Sequence, residues 1–63
     1  MAANRSELSS IAQLLEQVAS RITAMAEAAY AERDESDAVE LFAVERTLQG
    51  ASRRLERLLS SRR

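Results

Sequence analysis

Residues 31–37 read Ala-Glu-Arg-Asp-Glu-Ser-Asp, and this stretch decides the fold. It holds a single apolar residue, and the apolar repeats on its two sides are out of phase. Before it, Leu8, Ile11, Leu15, Val18, Ile22, Met25 and Ala29 are spaced 3-4-3-4-3-4. After it, Leu41, Val44, Leu48, Ala51, Leu55 and Leu58 are spaced 3-4-3-4-3. Such spacing is a helical seam and not the alternation of a strand. The first seam, continued by one heptad from Ala29, would reach 36, not 34 or 41. One unbroken helix is the competing reading, and the turn contains neither Gly nor Pro. The phase break and the capping residues favour two helices.

Those capping residues set the expected boundaries. Asn4 with Glu7 reads as a capping box, and Ser6 is a competing cap. Asp34, Ser36 and Asp37 are all competent N-caps, and Asp37 with Glu40 forms a second box. The pattern predicts helix 1 over about residues 6–32, a turn at about 33–36 and helix 2 over about 37–60, within one domain. Acids at the start of helix 2, with Arg62 and Arg63 at its end, suit the helix dipole. Gly50 interrupts helix 2 at a cost of ~1 kcal/mol, but the seam runs through it. A helix end at Gly50 followed by a short third helix is the alternative.

Folding the chain at about residue 33 pairs the seams in antiparallel fashion. Leu8 then faces Leu58, Ile11 faces Leu55, and Leu15 faces Ala51. Val18 faces Leu48, Ile22 faces Val44, and Met25 faces Leu41. The expected architecture is therefore an all-α, antiparallel two-helix hairpin.

A hairpin of this composition needs further burial. Of 29 apolar residues, 12 are Ala. Burial returns ~25 cal/mol per Å2 against roughly 1.5 kcal/mol of ordering entropy per residue. There is no Cys or His, so disulfides and a Cys/His zinc site are excluded. Self-association into a four-helix bundle is the expected remedy. Ala12, Ala19 and Ala26 recur every seven residues beside the first seam and read as a contact for a second hairpin. Leu14, Tyr30, Val39, Phe42 and Leu59 lie off the seams and join this expected self-association surface, because soluble monomers avoid such patches. Residues 1–45 carry net −6 and residues 46–63 net +5, so the turn end of a hairpin is acidic and its open end basic. That distribution favours a homodimer with the ends reversed.

Catalysis finds no support in the residues. No recognisable catalytic pattern surrounds Ser, Tyr or Glu, one Gly cannot build a phosphate loop, and no inward seam position carries a carboxylate for a metal. No catalytic residue, metal ligand or cofactor is expected. The strongest polar feature is Arg46, Gly50, Arg53 and Arg57, on helix 2 away from its seam. A solvated face is the plain reading; as a site it reads as a binding surface for an acidic protein partner. A nucleic-acid surface is the alternative, opposed by net charge −1 and by only two aromatics. The last 16 residues also resemble a basic amphipathic membrane segment, but membrane use would break the hairpin seam. No stretch approaches a membrane span and the first 20 residues lack a signal-peptide pattern, so cytoplasmic residence is the expectation.

In length and layout the chain resembles the Rop family of plasmid copy-number regulators. The resemblance implies a helical hairpin that dimerises into an antiparallel four-helix bundle. Rop-like proteins bind RNA through polar and basic residues of helix 1. The corresponding helix here offers Gln13, Gln17 and Arg21 among acids, so the resemblance supports the fold and not the RNA function. Tyr30-Ala31-Glu32-Arg33-Asp34 also resembles the Tyr-x-x-x-Asp/Glu pattern of type VII secretion substrates, themselves helical hairpins. Their Trp-x-Gly turn has no counterpart here.

Overall fold

The computed structural model describes residues 4–61. Two α-helices, α1 (Arg5–Ala31) and α2 (Glu35–Ser61), each of 27 residues, pack along their lengths as an antiparallel hairpin. The molecule is a rod of 47 × 16 × 14 Å, one layer of two helices with no second layer among the described residues. Helix α2 runs through Gly50 without interruption.

The caps act largely as the sequence suggests. The Asn4 side chain accepts the Glu7 N–H at 2.9 Å and opens α1, so Ser6 is not the cap. At the other end Arg33 adopts a left-handed φ of 65°. Its N–H donates to the Tyr30 carbonyl at 3.0 Å, and the Asp34 N–H donates to Ala29 at 2.8 Å. This pair of bonds is a Schellman closure, which satisfies the last carbonyls of α1 without a glycine. Asp34 then starts α2: its carboxylate accepts the Asp37 N–H at 3.2 Å, and its carbonyl accepts Ala38 N–H at 3.0 Å. One residue thus ends one helix and caps the next. Helix α2 therefore begins at Glu35, two residues before the expected start at 37. Arg62 and Arg63, expected to complement the end of helix 2, lie outside the described residues.

The left-handed turn yields a stability prediction. An L-residue in this region costs about 1–2 kcal/mol, which Gly avoids. Part of that gain is offset by the greater freedom of Gly in the unfolded chain. Arg33→Gly should stabilise the chain by about 1 kcal/mol, seen as a rise in melting temperature. A fall would show that the guanidinium among Glu32, Asp34 and Glu35 outweighs the backbone strain.

The internal contact differs from the expected seam pairing. Ala19 and Ala26 are 3% and 0% exposed, Ala38 and Ser52 are also buried, and Ala12 is half-buried. On α2 the matching row is Ala38, Glu45, Ser52 and Leu59, at seven-residue spacing. Leu8, Leu15 and Ile22 with Leu41, Leu48 and Leu55 are half-buried beside these rows. Ile11, Val18, Met25, Val44 and Leu58, all expected inside, are exposed. The physical reason is size. Rows of Ala and Ser let two backbones approach closely, so the hairpin closes on its small residues. Its larger side chains are displaced to one flank.

Candidate functional site

The hairpin presents three distinct surfaces, and successive residues separate them. Each step along an α-helix turns the side chain by about 100°. Val18 and Ser20 therefore flank buried Ala19 on opposite sides, as Ala51 and Arg53 flank buried Ser52. Ser20 and Arg53 line one groove between the helices, with Glu16, Thr23, Glu27, Gln49 and Glu56. Val18 and Ala51 accordingly belong to the opposite face.

That opposite face is apolar. Ile11, Val18 and Met25 from α1 stand beside Val44, Ala51 and Leu58 from α2, over the half-buried Leu15, Ile22, Leu48 and Leu55. Met25 is 56% exposed. The chain exposes 5147 Å2, whereas a compact monomer of this mass exposes roughly 4,000 Å2. The excess, roughly 1,100 Å2, follows from the rod shape of two helices with no further layer among the described residues.

The groove on the polar face has a volume of about 590 Å3. Thr23 satisfies its own hydroxyl by donating to the Ala19 carbonyl at 3.0 Å. Gln49 donates to the Glu45 carboxylate at 3.0 Å. Ser52 Oγ is sealed between the helices with no hydrogen-bond partner. Being sealed, it offers nothing to a molecule in the groove. Among the described residues no cluster of carboxylates could hold a metal ion.

The third surface is the outer flank of α2, which adjoins the groove at Arg53. Arg46, Arg53 and Arg57 are exposed, and a Cβ added at Gly50 would meet no atom within 4 Å. These four residues, singled out in the sequence, share one stripe. Val39 and Phe42, expected to serve self-association, are exposed on this same stripe and not on the apolar face. The rest of that expected set is dispersed. Ala12, Ala19, Ala26 and Leu59 belong to the internal contact, because the helix that approaches the Ala row is α2 of the same chain. Leu14 is exposed at the edge of the apolar face, and Tyr30 is exposed beside the turn with Arg33 and Glu35. The sequence reading missed Ile11, Val18, Met25, Val44 and Leu58 as a surface. The signal was present in a stripe too wide for two helices alone to cover.

At the acidic turn Asp37 has its pKa raised above 3.8, first by the charge of Asp34, then by a hydrogen bond to it and by slight desolvation. Protonation of Asp37 thus favours the folded hairpin. The associated stability is fully present below the ordinary Asp range and is lost as pH rises through the raised pKa. An NMR titration should place the Asp37 carboxyl above that range, and Asp34→Asn should bring it back while still capping α2. An unchanged Asp37 titration would dismiss the coupling.

No protein-family model matches this chain, and no curated protein or solved structure shows significant similarity to it. The likeness to Rop is one of architecture: a helical hairpin with its helices in extensive contact. No helix among the described residues is long and apolar enough to cross a membrane.

Proposed function

We propose that this protein is a non-catalytic helical interaction module, an adaptor or regulator that works as a self-associated four-helix bundle. The observation that carries this reading is the exposed apolar face of Ile11, Val18, Met25, Val44 and Leu58. A second copy fits that face better than an unrelated surface does. The face runs along both helices, from Ile11 to Met25 and from Val44 to Leu58, and the two ends of the rod are oppositely charged. Glu32, Asp34, Glu35, Asp37 and Glu40 gather at the turn end, and Arg5 and Arg54 at the open end. Laying the second hairpin end over end sets acid beside base, an attraction that salt weakens.

Sedimentation equilibrium over a wide concentration range tests the proposal. The expected mass is twice 7.0 kDa and persists on dilution. A mass of 7.0 kDa throughout would rule out self-association and assign the apolar face to a different protein.

A further inference from the structure

The outer stripe of α2 is independent of the apolar face. Val39, Phe42, Arg46, Gly50, Arg53 and Arg57 fall within a sector about 80° wide. Its centre lies about 140° around the helix from Val44, Ala51 and Leu58. A four-helix bundle formed through the apolar face leaves this stripe in water.

Its chemistry is arranged along the axis. Val39 and Phe42 are exposed apolar anchors at the turn-proximal end, 65% and 36% accessible. Arg46, Arg53 and Arg57 follow as guanidiniums that no carboxylate of their own chain holds among the described residues. Between them Gly50 removes a side chain where the surrounding space is open. The order is therefore an apolar foot, one guanidinium, a gap and two further guanidiniums at helical spacing. A bound helix would lie along it with its backbone closest at Gly50.

We propose that this stripe docks an acidic amphipathic helix of another protein, with apolar side chains on Val39 and Phe42 and carboxylates on Arg46, Arg53 and Arg57. This rests on the reading of the chain as an interaction module and identifies the chemistry of its outer partner. Arg pairs with carboxylates in bidentate geometry. An acidic helix uses both halves of the stripe. A phosphate backbone would leave the apolar foot unused.

The test titrates the full-length chain into a labelled synthetic helix. That probe carries glutamates spaced to meet positions 46, 53 and 57 and leucines spaced to meet 39 and 42. A scrambled peptide of equal composition and a single-stranded RNA serve as competing probes. The designed helix should bind at least about tenfold more tightly than either competitor. Phe42→Ala should weaken it by about tenfold, and Arg53→Glu with Arg57→Glu by more, with salt dependence lost in the double variant. Sedimentation of the same variants should show an unchanged mass, which separates loss of docking from failure of self-association. Equal binding of the scrambled peptide, indifference to Phe42→Ala, absence of binding, or tighter binding of RNA would each overturn the proposal.

Discussion

Ala26→Leu is expected to lower the melting temperature sharply. Ala26 is fully buried between α1 and α2, so the added atoms have no free space to occupy. Overpacking of this kind costs ~1–3 kcal/mol, and in a chain of this size each kcal/mol shifts the midpoint by about 4–8 °C. The helices must separate locally, and that also disturbs Ala19 and Ala38 in the neighbouring layers. Ala28→Leu is the matched control, because Ala28 lies on the exposed back of the same helix and should alter the melt little. Thermal melts by circular dichroism make the comparison. Equal melts for the two variants would mean that the hairpin does not close on its alanine row.

Val18→Asp carries the second large effect, and its size depends on what covers the apolar face. In an isolated hairpin Val18 is 42% exposed. A surface substitution there would change stability by about 0.5 kcal/mol or less. Within a bundle the same change buries a carboxylate among Ile11, Met25, Val44 and Leu58. The penalty for such an unpaired ion is several kcal/mol, enough to dissolve the assembly. The wild-type melting temperature should rise with protein concentration, as it does whenever folding is linked to association. In the variant that dependence should vanish and the sedimenting mass should fall to 7.0 kDa. A variant that keeps both the mass and the concentration-dependent melt would show that Val18 lies outside the interface.

The turn shows how far local chemistry reaches. Asn4 was recognisable as a cap because its side chain needs only a backbone N–H three residues away. Asp34 was among three candidate caps, and the choice fell to the left-handed closure at Arg33. That closure makes Asp34 both the end of one helix and the start of the next. A non-glycine residue in that conformation carries no sequence signature, so the early start of α2 at Glu35 was not legible. The four residues of the Arg stripe were legible as one face, because a helical face follows from spacing alone. Val39 and Phe42 follow the same arithmetic, yet their apolar character had assigned them to self-association.

What the sequence determined by itself was two helices, their caps, an apolar seam on each and an alanine row beside the first. Periodicity and capping are local properties, set within one turn of helix. Which of these positions the two helices use against each other was decided only in the tertiary structure. Leu, Ile, Val and Met dominate any count of hydrophobicity, and on that count Ile11, Val18 and Met25 belong inside. Close approach rewards small size instead, and the backbones come together over Ala12, Ala19 and Ala26 against Ala38, Glu45, Ser52 and Leu59. A row containing a glutamate and a serine does not read as a core in one dimension. It becomes one when the opposing row is alanine, and the larger side chains are then left facing outward.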